Sequence, residues 1–385
     1  MLASISSLRD MRHVDKTYYL GSDDRFYELN YTHYTPSDEL LDLVRPLLEP
    51  LGAAWQVRRA DVWTHIMPVP QDGEPELLAQ GWKIHVSATN LSCREILTRI
   101  ATLAIARRIQ FKFANDVETL RLMTSKRWTR GGSGKFITVY PKSLDEFQEF
   151  IDAAYAALDG CQGSYILSDR RYKDSRCLYY RYGGMRATRR LDCLGRRLEV
   201  LTSPDGEEVL DQRRPYFELP AWVPDLYPPE PADAGSDDAD DAVTLDHGRY
   251  VVRSALTFSN TGGVYLAQDT QTGRDVIIKE ARPGVELSAC GQDATDRLAH
   301  EAEILRTLAG MGIVPEVHAT FRDWENLYLV EEQLAGEDIR NIMLLNTPLL
   351  RVNPTAGQSA DFYRIYLGIF KSLLMAVDRI HGRGW

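Results

Sequence analysis

The chain has 385 residues, of which 44% are hydrophobic, and a net charge of −10. That length exceeds one ordinary domain, and that apolar content allows real cores, so a disordered chain is excluded. No apolar run is long enough to span a membrane, and the opening "MLASISSLRDMRH" carries no secretory apolar stretch.

The charge is unevenly placed. Residues 225–246 carry eight acids and no base, residues 107–142 carry nine Lys/Arg against two acids, and residues 168–197 carry ten against three. Two basic blocks in an acidic protein point to a local anionic ligand and away from a general nucleic-acid binder. The five cysteines are scattered, without CxxC or zinc spacing, which is the usage of reduced thiols in a cytoplasmic protein.

In chain order, "DELLDLVRPLLEPLG" (38–52) has helical periodicity and ends at a glycine. "GWKIHVSATN" (81–90) reads as a strand. Alternation puts Lys83 and His85 on one face and Trp82, Ile84 and Val86 on the other. "EILTRIATLAIARRI" (95–109) is an amphipathic helix and "QFKFAN" (110–115) a short alternating strand. "KFITVYP" (135–141) and "SRCLYYRYG" (175–183) are strands. Between them "SLDEFQEFIDAAYAAL" (143–158) is a helix whose Ser143 and Glu146 form a capping box. This is an α+β pattern, taken as a first domain, 1–222.

"VPDLYPPEPADAGSDDADDAVTLDHG" (223–248) is rich in Pro, Asp, Ala and Gly and poor in large apolar residues. It is expected to be an acidic linker, 223–247. The second domain, 248–385, opens with three strands over 250–284. A helix follows at 294–310, then a strand and extended segment at 326–339. A long apolar helix at 362–384 is expected to be buried on much of its circumference.

Chemistry-bearing residues recur in a fixed order in this second part. "SNTGGVYLA" (259–267) removes side chains at Gly262 and Gly263, where a backbone can approach phosphates. "VIIKE" puts Lys279 on the third strand, and "HEAEIL" puts Glu301 on the next helix, where a carboxylate can keep a buried lysine charged. The order resembles the N-lobe of a protein kinase, a β-sheet with its αC helix, running into the start of the C-lobe. The resemblance implies nucleotide binding by Gly262, Gly263, Lys279 and Glu301, with Glu332 and Leu334 at a hinge for the purine. It places no catalytic loop and no magnesium ligand before the final "DRIHGRGW". The chain is therefore expected to be a truncated piece that transfers no phosphate unaided.

With a kinase-like unit following, "WKIH" (82–85), "FKF" (111–113), "RGGSGKFITVYP" (130–141) and "YYRYGG" (179–184) together resemble the lyase domain of class III lanthipeptide synthetases. Through it they resemble bacterial phosphothreonine lyases. β-Elimination from a phosphorylated Ser or Thr needs a base for the Cα proton, an acid for the leaving oxygen and cations for the phosphate. The resemblance implies Lys112 as base, His85 as acid, Tyr140 as an assisting residue, and Lys83, Arg130 and Arg181 as phosphate ligands. Arg186 or Arg58 is a further phosphate candidate, Lys135 the rival base and His65 the alternative acid.

The implied substrate is a ribosomal precursor peptide, leader plus core. No cofactor or metal is implied for the lyase, and ATP or GTP with Mg²⁺ for the full-length kinase. Neither nucleic acid nor membrane is an implied partner. A class IV synthetase shares these two domains. A phosphopeptide-binding module fused to a pseudokinase is the reading without elimination.

Overall fold

The computed structural model describes residues 35–72, 77–186, 188–193, 195, 197–228, 243–350 and 352–384. The first half is built on a seven-stranded antiparallel sheet. Its strands are β1 (Trp55–Ala60), β2 (Trp63–Pro68), β3 (Gln80–Val86), β4 (Gln110–Ala114), β5 (Ile137–Tyr140), β6 (Arg170–Arg171) and β7 (Leu178–Gly184). They lie in the order β1-β2-β4-β5-β3-β7-β6, so β3 has both edges paired.

One face of the sheet is covered by helices. After α1 (Leu41–Leu48), α2 (Cys93–Ala106) buries Cys93, Ile96, Leu97, Ile100, Ala101 and Ala104, the three-and-four spacing of one helical face. Following α3 (Val117–Thr124), α4 (Leu144–Ala157) buries Phe147, Phe150, Ile151 and Ala154. The Trp82 ring lies 5.7 Å from that of Phe147, so the odd-numbered Lys83 and His85 face away from the helices.

That second face is roofed rather than open to water. A small sheet of β8 (Arg189–Leu191), β9 (Arg197–Thr202) and β10 (Glu208–Leu210) leads into a strap at 211–214. Asp211 takes the Gly184 N–H at 3.1 Å, and a Cβ on Gly131 would sit 1.8 Å from the Arg213 carbonyl oxygen. Only glycine at 131 lets the strap pass so close. Under it Lys83 is 5% exposed and His85 4%.

Several local expectations are corrected. The first helix ends at Leu48, because Pro50 turns the chain into a 3-10 segment, Glu49–Ala54. α2 closes at Ala106: Arg108 takes φ 55° and the Ile109 N–H bonds back to the Ala104 carbonyl. Ser143 caps α4 by accepting from the Glu146 N–H at 3.1 Å, but the Glu146 carboxylate accepts from the Lys142 N–H and not from the cap residue.

Both ends of the acidic stretch are tied to a half. Val223, Leu226 and Tyr227 pack on the first core, and β11 (Thr244–Leu245) pairs in the second sheet. The rest of the proposed linker, 229–242, lies outside the described residues.

The second sheet continues with β12 (Tyr250–Ser259), β13 (Gly262–Asp269), β14 (Asp275–Ala281), β15 (Val317–Asp323) and β16 (Asn326–Glu332), in the order β11-β12-β13-β14-β16-β15. α5 (Ala294–Thr307) starts at an Asp293 capping box and packs Leu298 and Ala302 with Leu327 and Leu329. The two halves meet through hairpin turns of the second sheet. Arg171 holds Glu325 by two bonds of 2.8 Å, beside Trp324 edge-on to Tyr165 at 4.8 Å.

The chain then forms α6 (Ile339–Asn346) and α7 (Ala356–His381). The expectation of a buried last helix fails: α7 has no buried residue, and Leu367, Phe370, Leu374 and Met375 are exposed. An apolar helix face is buried only by a surface that packs on it, and the elements that touch α7 leave every one of its residues at best half-buried. Among the described residues no helix is long and apolar enough to cross a membrane.

Candidate active site

Strand register builds the site. His65, Lys112, Thr138, His85 and Tyr179 stand opposite one another in turn across β2, β4, β5, β3 and β7. Opposed residues in antiparallel strands share a face. Lys83 opposes Arg181 on the same face, and Tyr140 is two residues beyond Thr138.

The centre is a buried charge cluster. His85 Nδ1 lies 2.5 Å from Asp169 Oδ2, while Lys135 Nζ lies 2.8 Å from Oδ1 of the same carboxylate. Ser168 donates a third bond to that carboxylate at 2.8 Å. Asp169 is held well below the usual carboxylate range, since Lys135 and His85 outweigh its burial. Burial pushes the His85 pKa down and the Lys135 charge adds to this; Asp169 opposes both and does not overcome them. Burial thus favours the neutral ring, with Nδ1 taken by Asp169 and Nε2 left over.

Beside it, Lys83 donates to the Gly184 carbonyl at 2.8 Å, and Arg181 Nη2 meets Asp211 Oδ1 at 2.6 Å. Burial and the neighbouring Arg181 push Lys83 far down, with Asp211 working the other way. Arg181 Nη1 is buried with no hydrogen-bond partner. Two buried lysines and an arginine, Lys83, Lys135 and Arg181, thus share two carboxylates, and one guanidinium nitrogen is unmet. Buried positive charge of this kind is best satisfied by an added anion.

Lys112 stands apart from that pairing. No carboxylate lies within ion-pair distance of it among the described residues, and its Nζ sits 4.2 Å from the Trp63 ring centroid and 6.0 Å from that of Tyr140. Burial first, then the Arg213 charge, brings its pKa down to about 7, against Glu199 and Asp61. The Trp63 face favours the ammonium and works against this shift. Lys135, the rival, comes down to about 8 but is committed to Asp169. Burial raises Tyr140, so its phenol stays protonated. His65, the alternative acid, is pushed to about 4 by burial and Lys112.

Arg130 is not on a strand of this sheet face. It opens a short 3-10 turn, Arg130–Gly132, and its guanidinium lies 4.6 Å from the Phe258 ring of the second half. Arg58 is exposed on the edge strand β1, and Arg186 is exposed past β7.

In the second half, Lys279 Nζ lies 2.7 Å from Glu301 and 2.8 Å from Glu331, and these carboxylates keep its pKa raised against burial. Gly262 opens β13 with φ 151°, where a Cβ would meet the Glu280 carbonyl at 2.1 Å. The Gly263 N–H is already bonded to Glu280 Oε2 at 3.0 Å. The Glu332 N–H donates to the Glu316 carbonyl at 2.9 Å, and Leu334 is exposed beyond the strand.

Asp169, Asp211, Arg213 and Glu331 were missed by residue patterns. Asp169 had one signal: a lone acid in "SDRR", inside a basic block. Asp211 and Arg213 had none, because they arrive through the strap. Among the described residues no group of three His, Cys, Asp or Glu is placed to hold a metal ion.

The family model described as "RamC, N-terminal domain" matches residues 44–240. A protein of Streptomyces coelicolor named "Probable SapB synthase" is 34% identical over 386 residues. The match takes in 100% of this chain and 40% of that protein's length. Among solved structures, the type III effector and phosphothreonine lyase OspF from Shigella flexneri is 17% identical, with a TM-score of 0.28 over 44% of this chain and 91% of its own. A kinase domain is 19% identical, with a TM-score of 0.23 over 27% of this chain and 29% of its own.

Proposed function

We propose a function from one premise: this chain belongs to the family of the RamC N-terminal domain. Its first half is a lyase that eliminates phosphate from phosphoserine or phosphothreonine in a peptide, as one step of a lanthipeptide synthetase. The observation that carries this reading is Lys112, a buried lysine without a carboxylate partner, on the same sheet face as His85, Lys83 and Arg181.

The chemistry follows from the placement. Neutral Lys112 takes the Cα proton, and the C–H electron pair becomes the Cα–Cβ double bond. The Cβ–O bond breaks, and its pair leaves with the phosphate. Nε2 of His85 is the nitrogen free to give the leaving oxygen a proton. A dianion arriving among Lys83, Lys135 and Arg181 raises the His85 pKa from its depressed value, so the ring charges when substrate binds. Asp169 then holds the imidazolium, and the products are phosphate and dehydroalanine or dehydrobutyrine.

The second half is read as a kinase-like unit from the order of Gly262, Lys279 and Glu301 on successive elements; the chain spans 40% of the length of the curated relative it matches. Lys279 would hold the phosphates of ATP or GTP with Mg²⁺, the phosphoryl source for serine and threonine of a ribosomal precursor peptide. Glu280 sits at the glycine turn, so a nucleotide approaching Gly263 must displace a carboxylate.

The test is incubation of the chain with a synthetic phosphothreonine peptide, without nucleotide or metal. A peptide that loses the mass of one phosphoric acid and gains a thiol-reactive double bond supports elimination. Tight binding with the phosphate retained would leave only a phosphopeptide-binding module.

A further inference from the structure

The family resemblance implies Arg130 as a phosphate ligand, yet its visible support comes from the other half of the protein. The segment 124–130 is gripped from two places in that half. Asn260, at the tip of the β12–β13 hairpin, is fully buried, and its Nδ2 donates to the Thr124 carbonyl at 2.9 Å and the Ser125 carbonyl at 3.0 Å. Its own N–H donates to the Lys126 carbonyl at 3.3 Å. The Glu286 N–H donates to the Thr124 carbonyl at 2.9 Å, and its carboxylate accepts from the Lys126 N–H. Phe258, on the same hairpin, stacks on the Arg130 guanidinium at 4.6 Å.

The far end of this segment enters the charge cluster. Gly131 passes under the Arg213 carbonyl, Ser133 is 1% exposed with its hydroxyl unmet, and Lys135 pairs with Asp169. A short loop therefore runs from the hairpin tip of one half to the buried cations of the other.

Arg130 itself has no carboxylate within ion-pair distance among the described residues, and its buried Nε makes no hydrogen bond. Behind it lies a second arginine. Arg282 is 3% exposed and bonds only to carbonyl-type oxygens, of Asn260 at 2.9 and 3.3 Å and of Tyr165 at 2.7 Å. Two neighbouring guanidiniums with no carboxylate in ion-pair contact repel each other, only partly offset by Glu280 near Arg282, and an incoming dianion relieves that repulsion. A flexible arginine on a free loop would lose rotamer freedom on binding; one already stacked and gripped loses less.

We propose that Asn260 and Phe258 are positioning residues for the phosphate site of the first half, setting the loop at 124–133 and holding the Arg130 guanidinium for the substrate's phosphate. The lyase site is thus completed across the junction, by side chains that touch no reacting atom. This rests on the elimination reading above.

The experiment uses the full chain, a synthetic phosphothreonine peptide and no nucleotide. Phosphate release gives kcat and KM for the wild type, N260A, F258L, R130A and the double variant N260A/R130A. Loss of the side-chain grip should raise KM about tenfold in N260A and about threefold in F258L, with kcat nearly unchanged. In the R130A background the N260A change should have little further effect, since both act through one guanidinium. F258L keeps an apolar side chain at a half-exposed position, so it reads the stack alone if N260A folds poorly.

An unchanged KM in F258L and N260A, or fully additive losses in the double variant, overturns the proposal. If the wild type releases no phosphate, the elimination reading fails. The same variants are then compared by phosphopeptide affinity, where equal affinities overturn the positioning role and a weakening carried by Arg130 supports it.

Discussion

A lysine becomes a base by losing its proton near neutral pH, and Lys112 is placed to do so. Its pKa falls to about 7 through burial and the Arg213 charge. Arg213 is half exposed and paired with Glu199 at 2.7 Å, so it can be changed without opening the core. Removing a positive neighbour stabilises the ammonium, which must raise the Lys112 pKa. Competitive acylation across pH should place the Lys112 midpoint near 7 in the wild type. In Arg213→Gln it should lie higher by about one unit, and Arg213→Lys should restore it. A midpoint that does not move would remove Arg213 from the account of Lys112. His85 illustrates the opposite case. The resemblance implied an acid there, but burial holds its pKa down against Asp169, so on the elimination reading the phosphate would have to charge it.

At the scale of elements, the strap at 211–214 decides what the sheet face can hold. Asp211 compensates Arg181 and lies beside Lys83. Asp211→Asn leaves the Arg181 guanidinium under-compensated in a buried place, which should cost about 3 kcal/mol. Thermal unfolding should show a lowered Tm, recovered in part by inorganic phosphate to a greater degree than in the wild type. A variant with unchanged Tm, or one insensitive to phosphate, would mean that the face is not an anion site. Alternation along 81–86 was enough to put Lys83 and His85 on one face and Trp82 on the other, because side-chain direction in a strand is local. Their burial was not legible, because the roof comes from residues more than a hundred positions later. The helix over 143–158 was legible from its Ser143 cap, whereas the reciprocal arm to Lys142 depended on a side-chain rotamer.

Across the whole molecule, two sheets are joined by a polar junction. Its clearest bond is Arg171 to Glu325, bidentate and partly buried. Arg171→Glu and Glu325→Arg each place like charges together and should lower stability by about 1–3 kcal/mol. The double exchange should recover part of that loss in thermal unfolding; simple addition of the two losses would mean that the pair does not couple the halves. The order Gly262, Lys279, Glu301 was readable in the sequence because each residue type sits on its own short element. The docking of that hairpin on the first half was not, since Asn260 is an ordinary turn residue until its carbonyl partners at 124 and 125 are known. The exposed face of α7 was misread because an apolar helix encodes a wish for burial and not the surface that grants it.

A lyase with Lys112 as its base stands or falls on one turnover comparison. The full chain, Lys112→Ala, Lys135→Ala and His85→Ala are each incubated with a phosphothreonine peptide, and dehydrobutyrine is counted by thiol trapping. The account predicts product from the wild type, a loss of about a thousandfold or more in Lys112→Ala and a smaller loss in Lys135→Ala. His85→Ala should also be severely impaired. Full activity in Lys112→Ala with none in Lys135→Ala would contradict the assignment of the base. Absence of product from the wild type under the same conditions would contradict the lyase itself.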